Sequence, residues 1–240
     1  MTTKNFNKYT YPSLERVDLE IGRHYLDSKN TPVPSVTTVL SATSKSKDGI
    51  AQWRNRVGEA EADRIVKQST DIGSSVHDAI EKYLKDELWD IFENTENELI
   101  AKKITHKFVN DGLKKITEIW GLEVGLVLDN LYAGTADCIG EYNSIPTLID
   151  FKTAKKIKKR EWIEDYFIQM AAYAMAHNYV YNTQIQSGVI LMCTPNNYFQ
   201  KFVVSDSEFQ RYMWKWLERV NQYCNQNRLH KNMGNLQKSE

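Results

Sequence analysis

Apolar and polar positions alternate with changing period along this chain, and the changes predict its elements. Residues 1–34 are polar and rich in turn formers, and Pro32 and Pro34 disfavour helix, so an extended segment is expected to lead into residues 35–40. From Asp48, the side chains of Ile50, Trp53, Val57, Ala60 and Ile65 fall at helical spacing. A second helix is predicted over 73–85, with Val76, Ile80, Tyr83 and Leu84 as its apolar stripe and His77 and Glu81 four apart on an adjoining face. Leu99, Ile104, Phe108, Leu113 and Ile116 predict a third over 96–120, ended by Gly121. The texture then turns β-branched. Residues 122–128, 131–142 and 147–153, separated by Asp129-Asn130 and by Asn143-Ser144-Ile145-Pro146, predict a three-stranded antiparallel meander. A helix over 161–181, strands over 186–193 and 198–204, and an amphipathic helix over 206–226 with Ser205 or Asp206 as N-cap complete the chain. The expected class is a layered α/β (α+β) fold, a central mixed sheet begun by the meander and flanked by helices.

No repeat, low-complexity tract or linker divides the 240 residues, which predicts one domain. Its parts are an extended N-terminal segment (1–47), a helical addition (48–120), a sheet with one helix (121–204), and a C-terminal helix and tail (205–240). Composition is globular, with 41% hydrophobic and 26% charged residues. The 31 basic and 31 acidic residues cancel, which neither points to nucleic acid nor excludes it, since phosphate binding depends on local clustering. Cys138, Cys193 and Cys224 are far apart and form no CxxC pair, which argues against a zinc site or an iron–sulfur cluster and for reduced thiols. No apolar run approaches the roughly 20 residues of a membrane span, and the N-terminus lacks an apolar leader. A cytoplasmic protein of a bacterial or phage-infected cell is expected, the Asn-, Lys- and Tyr-rich usage fitting a bacteriophage or an AT-rich bacterium.

The candidate chemistry lies in Thr147-Leu148-Ile149-Asp150-Phe151-Lys152-Thr153. Asp150 and Lys152 share one face of an otherwise apolar strand, because strand side chains repeat every two residues. Buried charge is costly unless paired or metal-bound. With the hairpin turn centred between Asn143 and Ser144, Asp137 lies across from Asp150, their Cβ atoms about 5 Å apart. Two carboxylates that close repel unless a cation sits between them, and a hard ion such as Mg²⁺ takes carboxylate oxygens readily. Glu123 on the preceding strand is a third candidate ligand. The geometry suits phosphodiester hydrolysis, with Lys152 orienting water or stabilising phosphate charge. Gln169 and Tyr173, four apart on the following helix, would touch DNA phosphate or support the site. The run Lys155-Lys156-Ile157-Lys158-Lys159-Arg160 is a wall for a DNA channel or a solvated loop, and Trp53, Trp162 and Tyr166 are candidates for base stacking. A lone helical His77 is more often structural than ligating.

In order and spacing these residues resemble the RecB-like exonucleases of the PD-(D/E)xK nuclease superfamily. The likeness runs from Pro34-Ser35-Val36-Thr37 through Gly73…His77…Glu81, Glu123, Gly134-x-x-Asp137, Ile149-Asp150-Phe151-Lys152-Thr153 and Gln169-x-x-x-Tyr173 to Trp214-x-x-Leu217-x-x-Val220. It implies a restriction-endonuclease-like core. It also implies a Mg²⁺ or Mn²⁺ ion on Asp137, Asp150 and the Phe151 carbonyl with His77 as a further ligand, Glu123 as an added acid and Lys152 as the catalytic lysine. Ser35 and Thr37 resemble a hydroxyl-bearing loop that meets the DNA strand. The pattern departs from the family name in one place, Ala136 standing where the proline would be. The implied activity is exonuclease action on single-stranded DNA ends or flaps in recombination, repair or replication. An endonuclease of the same fold, a non-catalytic DNA-binding relative, and a metal-dependent hydrolase of nucleotides or RNA are the rivals.

Overall fold

The computed structural model describes residues 2–44 and 47–236, with side chains over 2–44 and 49–227; Met1, residues 45–46 and the expected tail over 237–240 lie outside. The N-terminal region is not extended throughout. After β1 (Thr3–Lys4), the strands β2 (Arg16–Leu19), β3 (Gly22–Leu26) and β4 (Pro32–Pro34) form a small antiparallel sheet in that order. Extension stops at Pro34, because the Ser35 hydroxyl accepts from Thr38 N and caps α1 (Val36–Thr43), whose Val36, Val39 and Leu40 then meet the core. Proline restricts only the residues at and before it, so the helix begins where that restriction ends.

Helix α2 (Lys47–Val57) breaks at Gly58, which has φ +86°, and α3 runs without interruption over Glu59–Leu84. The two predicted helices, 48–65 and 73–85, are therefore divided elsewhere: the break falls at the glycine, and the polar stretch 66–72 stays helical. Thr95 caps α4 (Glu96–Lys107) by accepting from Glu98 N. The predicted helix to residue 120 ends early. A wide π-type turn over Phe108–Gly112 and a 3₁₀ turn over Leu113–Lys115 hand over to β5 (Ile116–Leu128). Phe108, Leu113 and Ile116 face one core, so their spacing imitates a helix. Gly121 lies inside β5 and stops no helix; a Cβ there would stand 2.8 Å from the Tyr11 ring.

Strands β6 (Tyr132–Tyr142) and β7 (Ile145–Thr153) follow, then α5 (Glu164–Tyr181), β8 (Ser187–Cys193), β9 (Phe199–Ser205) and α6 (Asp206–Leu236), which continues past the expected end at 226. The main sheet is mixed, in the order β1-β5-β6-β7-β8-β9. β5, β6 and β7 are the antiparallel meander, whereas β7 pairs parallel with β8 because α5 carries the chain back. Side chains alternate between two cores. Leu148, Ile190 and Met192 face α1, α5 and α6 with Phe167 and Trp216, while Ile149, Phe151, Val189 and Leu191 face α3 and α4 with Val76, Ile104 and Phe108. Both faces of the central strands are thus buried, and a charge on them needs a partner. Among the described residues, no helix is long and apolar enough to cross a membrane.

Candidate active site

Main-chain pairing between β6 and β7 holds from Tyr142↔Ile145 to Cys138↔Ile149, the register a turn centred on Asn143-Ser144 imposes. The next rung would join Asp137 to Asp150. Main-chain pairing ends before it, and Asp137 Oδ2 instead accepts from Phe151 N at 2.9 Å. On the other side, the pairs Leu122↔Cys138 and Val124↔Ala136 bracket Glu123 and Asp137. Three carboxylates therefore stand in a row across three neighbouring strands. Glu123 takes a left-handed backbone, φ +48°, within this row.

α3 presents His77 to the row from above. Its Nε2 lies 3.0 Å from the Phe151 carbonyl oxygen and its Nδ1 3.2 Å from Glu123 Oε1, with Asp137 Oδ2 at 3.9 Å. Both ring nitrogens face acceptors. Burial alone lowers the pKa of this ring, but the Glu123 hydrogen bond and the charges of Asp137 and Glu123 outweigh it and push it up to about 9. A positive imidazolium here occupies the middle of an acidic nest. One ligand atom each from His77, Glu123 and Asp137 lie within 4.8 Å of one another, an arrangement able to hold a metal ion. A cleft of about 470 Å³ lined by Gly73, His77, Glu81 and Glu123 opens this side to solvent.

Asp150 is not part of that trio. It is 4% exposed, and its Oδ1 accepts from Lys152 Nζ at 2.5 Å. Burial, with Asp137 adding to it, raises its pKa; the Lys152 ammonium acts the other way. Burial pulls Lys152 down, yet Asp150 and Asp137 outweigh it and keep the ammonium charged. Asp150 Oδ2 is buried with no hydrogen-bond partner among the described residues. An orphaned carboxylate oxygen costs about 1–3 kcal/mol or more, and a divalent cation would supply what it lacks. The donor set, hard oxygens with one imidazole, fits Mg²⁺ or Mn²⁺.

The helix after β7 closes the site. Lys152 Nζ lies 5.2 Å from the centre of the Tyr166 ring, so Tyr166, expected to stack on bases, here covers the lysine. Gln169 Nε2 donates to the Tyr173 hydroxyl at 3.3 Å, and Tyr173 is buried against Gly134, where a Cβ would come within 2.9 Å of its ring. That glycine lets α5 lie close on β6. Ser35 is buried and its hydroxyl is engaged in capping, whereas Thr37 is exposed; the cap sits beside Ala133 on β6, the strand that carries Asp137. Lys155 and Lys156 are exposed on the loop leaving β7. The contact of Tyr166 with Lys152 had no sequence signal, since it depends on how α5 folds back.

Comparisons with known proteins agree with the motif resemblance. No protein-family model matches the chain. It is 29% identical to mitochondrial genome maintenance exonuclease 1 of Homo sapiens over 221 residues, 87% of this chain and 62% of that protein. The Xenopus tropicalis protein of the same name is 26% identical over 235 residues, 91% of this chain and 66% of that protein. The chain thus spans just under two thirds of the length of these homologues. A crystal structure from Eubacterium rectale, provisionally described as an exonuclease, aligns with a TM-score of 0.48 at 16% identity, covering 66% of this chain and 65% of that one.

Proposed function

We propose that this single domain is a Mg²⁺- or Mn²⁺-dependent DNA exonuclease that hydrolyses phosphodiester bonds of single-stranded ends or flaps during recombination, repair or replication. One observation carries the reading: a buried Asp150 with an unsatisfied oxygen, clamped to Lys152 and one rung from the His77–Glu123–Asp137 cluster. The homologues' names support the exonuclease class.

In this reading Asp137, Asp150, Glu123, the Phe151 carbonyl and His77 would hold the cation, His77 giving up its imidazolium proton to do so. A divalent ion so held supplies Lewis acidity, making water nucleophilic at neutral pH and offsetting charge on the scissile phosphate. The protein's own groups do the rest. Lys152 stays charged because Asp150 and Asp137 face it, and Asp150 and the Tyr166 ring fix its position, so its ammonium meets a phosphate oxygen without reorganisation. Phe151 N–H anchors the Asp137 carboxylate, holding its orientation before any ion arrives. Gln169 and Tyr173 brace the wall that β6 presents. Thr37 and the lysines at 155 and 156 contact the strand backbone and make affinity salt-dependent, while Ser35 acts only by capping the helix that presents Thr37.

Lys152→Ala should lower cleavage by about 100-fold or more while a labelled single strand still binds; undiminished cleavage would remove the catalytic assignment. An exonuclease leaves a closed circular single strand intact, and its cleavage would favour the endonuclease alternative.

A further inference from the structure

Between β7 and α5 the chain crosses the open edge of β9, and two side chains fix it there. Gln200 accepts from Lys158 N at 2.7 Å through Oε1 and donates to Lys158 O at 2.9 Å through Nε2, so one amide stands in for a rung of main-chain pairing. Arg160 donates to Val203 O at 3.1 Å and to Glu208 Oε2 at 2.8 Å, its guanidinium 4.7 Å from the centre of the Phe167 ring. The loop is latched at 158 and at 160.

Immediately beyond the latch, a short 3₁₀ turn (Arg160–Trp162) holds Trp162 outward, 62% exposed, with Lys159 Nζ 5.4 Å from its ring centre. Glu161 and Glu164 are exposed beside it, and Glu161 Oε1 lies 4.0 Å from the Lys159 ammonium. Earlier on the same loop, Lys155 and Lys156 are exposed. Tyr166, one helical turn further along, is the ring that covers Lys152. Trp162 therefore lies just before α5, one turn ahead of the ring that covers the Lys152 ammonium.

We propose that Trp162, with Lys159, is a stacking platform for an unpaired base of the DNA strand. This rests on the nuclease reading above and adds to it a base-contacting subsite outside the metal cluster. The face of the indole accepts any base, the adjacent ammonium meets the phosphate next to it, and the Gln200 latch removes most of the entropy cost of presenting them.

The test is anisotropy in EDTA, which stops cleavage, with the wild type, Trp162→Ala and Trp162→Phe. One labelled probe is an oligothymidylate of about 15 nucleotides, and the other an abasic strand of the same length. Trp162→Ala should weaken oligothymidylate binding by about 5- to 50-fold and leave the abasic strand unchanged, and Trp162→Phe should recover most of the loss. Equal binding of wild type and Trp162→Ala, or an equal loss on both strands, overturns the platform. If the wild type neither binds oligothymidylate nor cleaves it with Mg²⁺, the nuclease reading fails and the platform with it. If it cleaves while Trp162→Ala binds unchanged, only the platform falls.

Discussion

Glu123 sits in a left-handed backbone conformation (φ +48°) that costs an L side chain about 1–2 kcal/mol, and it adds a third negative charge to the row with Asp137. Such strain persists where the surrounding structure over-determines it, often at functional positions. Glu123→Gly removes both the strain and the repulsion while giving up the His77 hydrogen bond. We expect the melting temperature to hold or rise by about 2 °C and metal-dependent cleavage to collapse; calorimetry alongside an activity assay checks both, and a clear fall in melting temperature would show that the His77 pairing outweighs the strain. Period-two alternation made the shared face of Asp150 and Lys152 legible, and turn position made the Asp137 register legible. The bend at Glu123 was not, because a positive φ leaves no mark in the sequence unless glycine or asparagine carries it.

Turn chemistry marked the elements better than periodicity did. Asn143 and Ser144, both with positive φ, join β6 to β7 where their residue types suggest. Helix limits were harder, since Val57, Ala60 and Ile65 continue one spacing across the break at Gly58, and Phe108, Leu113 and Ile116 continue another past the end of α4. Gly58 separates α2 from α3 by its backbone alone: a Cβ there meets nothing within 4 Å. Gly58→Ala should therefore cost only the backbone penalty of φ +86° with ψ 146°, a combination close to glycine-only, about 1–3 kcal/mol, seen as a lower urea midpoint at unchanged m-value. An unchanged midpoint would mean that the α2–α3 junction adapts freely.

At the scale of the whole molecule, the N-terminal residues strap the sheet. β1 pairs with β5 in parallel, and Tyr11 reaches the fully buried His177 at 3.1 Å, whose other nitrogen meets Thr183 Oγ1 at 2.8 Å. Contacts between residues so distant in the chain leave no local pattern to read. Burial, aided by the charge of Lys8, lowers the His177 pKa from 6.5 to about 4. With the folded pKa below the unfolded one, the unfolded chain binds more protons between those limits. Stability from this group is complete above about pH 6.5 and fades as pH falls toward 4, by about 3 kcal/mol at most. Urea midpoints across that window should fall less steeply for His177→Gln than for the wild type, and equal slopes would refute the assignment.

The parting of β6 and β7 beyond Cys138 and Ile149 places one amide hydrogen, that of Phe151, under the guard of a carboxylate instead of a neighbouring main chain. Whatever draws Asp137 aside releases that proton to solvent. The isotope-exchange rate of a single backbone site thus becomes a turnover-free gauge of events at the fork, readable before any substrate is added.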